Sequence, residues 1–376
     1  MRIGVNALYL IPGRVGGTEI YLRNLLRELA DIDSGNEYFV YVNRETGSDL
    51  TPRRSNFQTV RTGVRASFRP GRILWEQIVL PVKVWHHRLD VLLNPGFTTP
   101  ILSPSPTVTV FHDLQHKRHP EHFRWFDLPF WRMLLYASAR RSSRLLADSR
   151  ETRSDLLRFY ALPEEKVEVV PLGVEPKFFE IGRRRTLAKS AAPFILAVST
   201  LHPHKNLGGL LKAFAEFRMS QPEFRLVIAG LRGFHAEALE ELSRSLGLEE
   251  CVQFTGWIPR DELYECFARA HAFIYPSTFE GFGLPVLEAL AAGIPTAVSR
   301  IEPVSGIAAS AALQFDPASQ PEMVEALQLL VSDEELRKRL AAAGPQRARL
   351  FSWRATAERT LAALRRAAES PARAPR

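Results

Sequence analysis

The sequence predicts an α/β protein of two domains, each a parallel sheet with helices on both faces. The chain has 376 residues, of which 45% are hydrophobic and 24% charged, a globular composition with room for about two domains. Strand-like and helix-like segments alternate along the first half, and a second alternating series begins near residue 194. Strands that alternate with helices are typical of doubly wound parallel sheets.

Short apolar runs predict the strands of the first half, and apolar residues spaced three or four apart predict its helices. The predicted strands are residues 2–8, 38–42, 90–93, 107–111, 144–147 and 167–170, and the predicted helices are residues 18–31, 75–86, 128–140 and 150–160. A basic, irregular stretch from Phe178 to Lys189 is interpreted as the linker between the domains.

The second half repeats this alternation. Its predicted strands are residues 194–198, 224–229, 252–254, 272–275, 295–298 and 312–315, and its predicted helices are residues 206–219, 235–246, 260–269, 285–292, 320–331 and 333–349. We therefore expect one domain over residues 1–180 and another over 181–350. A helix over 351–366 follows, and the tail 367–376 has too little to bury and is expected to be disordered.

The net charge of +8 belongs to the first half of the chain. Residues 1–185 hold 28 Lys and Arg against 20 Asp and Glu, whereas residues 186–376 hold 21 of each. Basic surfaces attract nucleic acid, anionic lipid or anionic substrates. The sequence shows no nucleic-acid-binding motif, so nucleic acid is not an expected partner. An anionic membrane surface or acceptor is expected, with a merely solvated basic face as the alternative.

Several features bear on location. No apolar run approaches the roughly 20 residues that span a bilayer, and the N-terminal strand lacks the features of a signal peptide. We expect a cytoplasmic protein, with peripheral attachment to the inner face of the membrane as an option. Five aromatic side chains near position 125 either dock on that surface or form core: Phe123, Trp125, Phe126, Phe130 and Trp131.

The most informative segment runs from Glu280 to Glu288. Pro285 suits the start of a helix and Gly293 suits its end, so Glu280 precedes the helix and Glu288 lies about one turn into it. The intervening glycines admit a ligand close to the backbone, and the helix N-terminus attracts anions. A ligand with phosphate in the middle and hydroxyl groups at both ends, a nucleotide sugar, fits this pattern.

Other predicted strands also end in residues suited to this chemistry. Gly16-Gly17 stands at a helix start and either cradles an anion or forms a plain turn. His112, before Asp113, either contacts a sugar hydroxyl or handles a proton, or forms a structural pair. Lys205 suits a pyrophosphate, with a solvated lysine as the alternative. The loop containing Ile258 either meets a nucleotide base through its backbone or packs.

Taken in order, these segments resemble glycosyltransferase family 4, and the resemblance covers nearly the whole chain. The motifs that carry it are Gly16-Gly17, His112-Asp113, Ala147-Asp148-Ser149, Pro171-Leu172-Gly173-Val174, Pro203-His204-Lys205-Asn206, Glu280 to Glu288 and Phe351-Ser352-Trp353. The paired glutamates followed by Ala-Leu-Ala-Ala-Gly are the most specific part. The resemblance implies the GT-B fold: two Rossmann-like parallel-sheet domains facing a cleft, the first binding the acceptor and the second the nucleotide-sugar donor, with a C-terminal helix crossing back to the first domain.

The resemblance also implies roles for single residues. Glu288 would bind the donor ribose, Glu280 would face the transferred sugar, Lys205 would contact the pyrophosphate and His112 would lie near the transferred sugar. Further donor-binding positions are the closing loop and the helix start: Gly16, Gly17, Phe282, Gly283 and Leu284. With Ile258, these make the expected donor site, and Glu280, His112 and Lys205 make the expected catalytic group.

We therefore expect a retaining transferase that moves a hexose of the mannose or glucose type from a nucleotide sugar, such as GDP-mannose or a UDP-sugar, to a glycan or lipid-linked acceptor. Synthesis of cell-surface polysaccharide or glycolipid is the expected setting. Neither a cofactor nor a metal is expected, because Lys205 and the helix dipole can stabilise the leaving diphosphate. A retaining hydrolase places both carboxylates about 5 Å apart across one bond. Hydrolysis is disfavoured here, because Glu288 is assigned to the ribose and Glu280 to the transferred sugar, and the pyrophosphate separates these two ends of the donor.

Two alternatives stay open. The first is a nucleotide-sugar or polyanion binding protein without transfer activity, because His204 stands where the family often has an arginine and the first half is basic. The second is an epimerase or phosphorylase of the same fold.

Overall fold

The computed structural model describes residues 1–123, 125–185 and 192–369. The chain forms two compact units, one of Met1–Gly173 with Trp353–Arg376 and the other of Val174–Ser352. The expectation of a disordered tail is wrong for residues 367–369, which belong to the C-terminal helix, and residues 370–376 lie outside the described part of the chain.

Each unit contains one fully parallel sheet, which confirms the predicted fold class of two Rossmann-like domains. The first sheet has the order β3-β2-β1-β4-β5-β6-β7, and the second has the order β10-β9-β8-β11-β12-β13. The first-unit strands are β1 (Arg2–Ala7), β2 (Glu37–Val42), β3 (Phe57–Arg61), β4 (Val91–Asn94), β5 (Thr107–Phe111), β6 (Arg144–Ala147) and β7 (Val167–Val169). The second-unit strands are β8 (Phe194–Val198), β9 (Arg225–Ala229), β10 (Val252–Gly256), β11 (Ala272–Tyr275), β12 (Thr296–Ser299) and β13 (Leu313–Phe315).

Helices connect these strands and cover the sheets. They are α1 (Gly17–Ile32), α2 (Arg69–His86), α3 (Gln115–Arg118), α4 (Leu128–Arg141), α5 (Arg150–Tyr160), α6 (Pro176–Arg184), α7 (Leu207–Phe217), α8 (Ala236–Ser245), α9 (Arg260–Arg269), α10 (Leu284–Ala291), α11 (Val304–Ala308), α12 (Gln320–Ser332), α13 (Glu334–Ala348) and α14 (Trp353–Glu369). No helix among the described residues is both long enough and apolar enough to cross a membrane.

The central strands explain why the apolar runs in the sequence are continuous. Every residue of β4, β5, β11 and β12 is buried, because helices cover both faces of a parallel sheet. Helix α14 follows the second unit in sequence but belongs to the first. Its Thr356 hydroxyl donates to the Pro171 carbonyl at 2.7 Å, and the ring of its Trp353 lies edge-on to Tyr21 at 6.2 Å.

The structure corrects the predicted linker. Residues 176–184 form α6, a helix of the second unit, whereas the sequence placed an irregular linker over 178–189 and a domain boundary at 180. Phe178 on this helix is fully buried against the rings of Tyr264 and Phe267. Residues 186–189 of the expected linker lie outside the described residues.

Further elements differ from the sequence expectation, among them the short helices α3 and α11, which were not predicted. Strand β3 was missed, and α2 begins at Arg69, six residues before the predicted start at 75. The pair Pro70-Gly71 resembles a turn, yet proline is well tolerated in the first turn of a helix, where its missing N–H is not needed.

Candidate functional site

The strand order of the second sheet reverses between β8 and β11. Open α/β sheets bind ligands beyond the carboxyl ends of their strands at such a switch point. The loop after β8 carries Lys205, and the loop after β11 carries Glu280. A backbone hydrogen bond of 2.8 Å from the Thr278 N–H to the His204 carbonyl ties these loops together. The fold therefore gathers two of the predicted catalytic residues at the place where a ligand is expected.

Lys205 and Glu280 form a largely buried ion pair. The ammonium of Lys205 lies 2.6 Å from Glu280 Oε1, and the two side chains are 14% and 8% exposed. The Lys205 ammonium also donates a hydrogen bond to the Tyr275 hydroxyl at 3.3 Å. An ammonium has three N–H donors, so one remains for a ligand. The pair thus combines a fixed cation, suited to a phosphate, with a carboxylate able to accept a hydrogen bond from a sugar hydroxyl.

The glycine loop turns directly into α10. Gly283 has φ of 111°, a left-handed conformation that favours glycine, and a Cβ there would lie 3.2 Å from Val304. Pro285 lies in the first turn, and Gly293 has φ of 62° just beyond the end of the helix, as the sequence predicted. Apart from Pro285, every residue of the helix is buried. Its positive N-terminal end therefore lies at the end of the Glu280 loop, among Phe282, Gly283 and Leu284.

Glu288 is held by residues that the sequence analysis did not identify. Its side chain is 3% exposed, and Oε1 accepts a hydrogen bond from Arg260 at 2.5 Å. The same guanidinium nitrogen lies 2.8 Å from Glu175 Oε1, and Tyr264 donates its hydroxyl proton to the other oxygen of Glu175. Burial of the guanidinium lowers the pKa of Arg260, but the charges of Glu288 and Glu175 outweigh burial and raise this pKa above its ordinary value. Burial raises the pKa of Glu288, and the charge of Arg260 opposes that rise while its hydrogen bond orients the carboxyl group.

A signal for Arg260 was present in the sequence. Glu288 lies in a segment that is otherwise apolar, and a buried carboxylate needs a cationic partner. Arg260 begins the helix that follows β10, beside the predicted donor contact Ile258, and Tyr264 lies one turn later on the same helix. An arginine at the carboxyl edge of the same sheet, such as Arg260, is therefore the kind of partner that a buried Glu288 indicates.

Ile258 lies in the loop between β10 and α9 and is half-buried. The loop begins at Gly256, whose φ is 68°, and its Trp257 is exposed. The loop is at the carboxyl edge of the second sheet, and a contact of Ile258 with the donor stays a prediction.

Gly16 and Gly17 lie in the first unit, at the start of α1. Gly16 has φ of 58°, and its carbonyl accepts the Glu19 N–H at 3.1 Å. The Glu19 carboxylate accepts the Gly13 N–H at 2.8 Å, which closes the loop on itself. The two glycines thus form the expected turn at a helix start, and their contact with a donor stays a prediction.

His112 follows β5 in the first unit and is bound at both ring nitrogens. Nδ1 lies 2.7 Å from Asp148 Oδ2, and Nε2 lies 2.9 Å from the Pro95 carbonyl oxygen. Both partners accept hydrogen bonds, which favours the doubly protonated imidazolium. Tyr21 and Phe97 cover the ring edge-on at 5.0 and 5.3 Å. Both ring nitrogens are engaged within the protein, and a role of His112 near the transferred sugar stays a prediction.

This arrangement predicts a pH dependence of stability. Burial lowers the pKa of the His112 imidazole, but the charge and hydrogen bond of Asp148 outweigh burial and raise this pKa above 6.5. A raised folded-state pKa gives a contribution that is complete below 6.5 and is lost as the pH rises through the folded value. We expect the free energy of unfolding of the wild type to contain this loss in denaturant titrations between about pH 6 and 9, and that of His112→Gln to lack it. The same pH profile in both proteins would contradict the assignment.

Models of two families match almost the whole chain in succession. The model described as "Glycosyltransferase Family 4" matches residues 15–178, and the model described as "Glycosyl transferases group 1" matches residues 179–347. The two matches correspond closely to the two structural units.

Curated relatives show the same likeness. O-antigen chain mannosyltransferase B of Escherichia coli is 28% identical over 258 residues, covering 65% of this chain and 66% of the relative. The MMP alpha-(1->4)-mannosyltransferase of Mycolicibacterium hassiacum is 32% identical over 273 residues, covering 69% of this chain and 64% of the relative. The chain therefore spans a little under two thirds of the length of these relatives.

Among solved structures, HepE of Anabaena in complex with UDP and glucose superimposes with a TM-score of 0.74 at 18% identity. The superposition covers 97% of this chain and 99% of HepE. At this identity the likeness concerns the fold, and it extends over both sheets.

Proposed function

Because the chain belongs to glycosyltransferase family 4, we propose that it transfers a hexose from a nucleotide sugar to a hydroxyl group of an acceptor. One observation carries the proposal: the buried Lys205–Glu280 pair lies at the switch point of the second sheet, where the N-terminus of α10 adds positive charge. A cation, a helix dipole and a carboxylate together suit a diphosphate joined to a sugar.

The donor is proposed to lie along this edge of the sheet. Its diphosphate contacts the remaining Lys205 N–H and the N-terminus of α10, and Glu280 accepts a hydrogen bond from the transferred sugar. Glu288, fixed by Arg260, accepts hydrogen bonds from the ribose hydroxyls at the other end. Burial of Tyr275, together with the charges of Glu280 and Glu288, raises the pKa of this tyrosine, which supports a single site containing both glutamates.

The pairing of Glu288 argues for transfer and against hydrolysis. A retaining hydrolase needs one carboxyl group that carries a proton and one that attacks, both facing the same bond. Glu288 is bound to an arginine that fixes its orientation. Glu280 is bound to a lysine. The two glutamates thus have different cationic partners, which suits two separate binding roles better than a shared hydrolytic one.

In the proposed step, the bond between the anomeric carbon and the diphosphate breaks while the acceptor oxygen bonds to the same face of that carbon. The acceptor proton passes to a phosphate oxygen of the leaving group, so atoms and charge balance. Lys205 and the α10 N-terminus stabilise the negative charge that develops on the leaving diphosphate. These groups supply the positive charge that the step requires, and metal-independent turnover is part of the proposal.

The sugar is proposed to be of the mannose or glucose type, carried by GDP-mannose or a UDP-sugar. Relatives named as mannosyltransferases and a fold neighbour bound to UDP and glucose support this range. A glycan or lipid-linked acceptor in cell-surface polysaccharide or glycolipid synthesis agrees with the O-antigen relative. Thermal unfolding with a panel of nucleotide sugars tests the donor: a true donor raises the melting temperature, and no response to any member would contradict the proposal.

Attachment to the inner face of an anionic membrane is proposed for the first unit. Of the 15 large apolar side chains that are exposed among the described residues, ten lie on two segments of this unit. Those ten are Phe68, Leu74, Ile78, Val82 and Trp85 beside or on α2, and Trp125, Phe126, Phe130, Met133 and Tyr136 beside or on α4. Apolar side chains on a helix face with basic neighbours are typical of interfacial helices.

The charges around α2 favour an anionic partner. Between Arg61 and Arg88 the only acidic residue is Glu76, which is buried. The guanidinium of Arg69 stacks 3.7 Å above the ring of Trp131, so the two exposed segments are adjacent. This surface therefore presents exposed apolar side chains and cations without an exposed carboxylate on α2.

Flotation with vesicles that contain phosphatidylglycerol tests this surface. We expect the wild type to float at low salt and the double variant Leu74→Glu/Ile78→Glu to remain unbound, because two carboxylates would enter the apolar interface. Leu102→Glu is the matched control, since Leu102 is exposed in the same unit but outside both segments. Absence of wild-type flotation, or equal flotation of all three proteins, would contradict the proposal.

A further inference from the structure

Arg72 is a largely buried cation whose Nε has no hydrogen-bond partner among the described residues. It lies in the first turn of α2 and is only 8% exposed. Its Nε is fully buried without a hydrogen bond, and within the described part of the chain its guanidinium forms no hydrogen bond or ion pair. Arginine side chains remain protonated in proteins, so the positive charge is present. An unpaired buried charge destabilises a fold, which suggests that Arg72 is kept for a ligand.

The carboxylate of Glu76, which acts on Arg72 through its charge, forms no hydrogen bond or ion pair with it. Glu76, one turn later, is buried and accepts hydrogen bonds from Asn6 at 3.1 Å and Gln77 at 3.3 Å. Its charge and the Tyr9 hydroxyl interact with Arg72 only through space, and burial lowers the pKa of the guanidinium. The polar neighbours Glu76, Asn6 and Gln77 are therefore hydrogen-bonded to one another and not to Arg72.

A second cation lies close to Arg72. Arg69, at the first position of α2, is exposed but held over the Trp131 ring, and partial desolvation together with the charge of Arg72 lowers its pKa to about 10. Two mutually repelling guanidinium groups at the positive end of an 18-residue helix make a strong site for a multiply charged anion.

The position in the fold is that of a ligand site. The strand order of the first sheet reverses between β1 and β4, and ligands bind beyond the carboxyl ends of strands at such a point. Tyr9 follows β1 and its ring is in close contact with Gly96, which follows β4. Gly96 is adjacent to Pro95, whose carbonyl binds His112. Arg72 thus lies near the same edge as His112.

We propose that Arg72, assisted by Arg69 and the N-terminus of α2, binds a phosphate group of the acceptor at the switch point of the first sheet. The assignment to the acceptor rests on the proposed transferase function, since the donor site proposed above lies in the other unit. Two guanidinium groups and a helix N-terminus match a phosphate dianion better than a single carboxylate. The phosphate belongs either to a soluble acceptor or to a lipid-linked one exposed beside the α2 surface.

Arg72→Met separates a ligand-binding role from a structural one. Methionine keeps an unbranched side chain but removes the unpaired charge, so we expect a higher melting temperature than in the wild type. We also expect at least a tenfold loss of affinity for inorganic phosphate and pyrophosphate, measured by calorimetry. Arg72→Gln, which keeps a polar group, is expected to lose the same affinity. Arg65→Gln removes one exposed positive charge nearby and is the control for long-range attraction.

Vesicle binding distinguishes the sources of the phosphate. A lipid-borne phosphate predicts weaker binding of Arg72→Met than of Arg65→Gln to vesicles with phosphatidic acid. A soluble phosphate predicts equal vesicle binding of these variants and reduced affinity of Arg72→Met for inorganic phosphate alone. Unchanged phosphate affinity in Arg72→Met, no phosphate binding by the wild type, or a lower melting temperature of both Arg72 variants would overturn the proposal.

A parallel measurement keeps the two proposals distinguishable. Binding of GDP and UDP probes the second unit, and we expect it to be the same in the wild type and Arg72→Met. If the wild type binds neither GDP nor UDP, the transferase function is contradicted. If Arg72→Met changes only the affinity for phosphate, the result concerns the Arg72 site alone.

Discussion

Replacing Lys205 with alanine is expected to lower the turnover number by about 10²–10³-fold, the usual effect of removing one group that stabilises developing negative charge. The Lys205 ammonium is fixed 2.6 Å from Glu280 and is only 14% exposed, so its charge acts in a poorly solvated position. Because the charge of the diphosphate grows as its bond to the sugar breaks, kcat is expected to fall more than KM rises.

Two comparisons separate this effect from a loss of stability. Lys212→Ala removes an exposed lysine from α7 and is expected to leave turnover unchanged. Lys205→Ala also leaves Glu280 without its cation, so Lys205→Ala/Glu280→Gln is expected to recover stability without recovering turnover. Near wild-type turnover of Lys205→Ala in a folded protein would contradict the assigned role.

Replacing Arg260 with alanine is expected to have the largest effect on stability. The change removes the partner of Glu288 and leaves a carboxylate that is 3% exposed without a cation. Removing one partner of a buried ion pair costs about 3–5 kcal/mol, and the lower end applies because the arginine side chain is 27% exposed. Urea denaturation measures the change, with Arg269→Ala, an exposed arginine at the end of the same helix, as the control.

The double variant tests the mechanism of this loss. Arg260→Ala/Glu288→Gln removes the unpaired charge as well, so it is expected to be more stable than Arg260→Ala alone. If Glu288 binds ribose, Arg260→Ala is also expected to weaken binding of UDP or GDP more than binding of the 2′,3′-dideoxy nucleotide. Equal weakening for both nucleotides would indicate that Arg260 does not act through Glu288.

Periodicity and loop chemistry predicted most of the fold from the sequence. The apolar runs of β4, β5, β11 and β12 are evident because helices cover both faces of these strands. Strand β3 was missed because it is an edge strand on which only Phe57 is buried, so its sequence lacks an apolar run. Helix α6 was missed because basic residues end it, although Phe178 anchors it in the second unit.

Local signals located the candidate site, but its partnerships required the structure. Lys205 and Glu280 lie 75 positions apart in sequence, and only the strand order brings their loops together. The partners of Glu288 come from α9 and from the segment before α6, so no spacing in the sequence reveals them. Arg72 is one of many arginines in a basic half, and its burial without a partner is a property of the fold.

The most direct test of the central claim is release of nucleoside diphosphate from GDP-mannose and UDP-glucose, measured with and without an alkyl glycoside acceptor. We expect release that requires the acceptor, is lost in Lys205→Ala, and gives a product with the anomeric configuration of the donor by proton NMR. Equal release without acceptor, or binding of nucleotide sugar with no release under any condition, would contradict this claim.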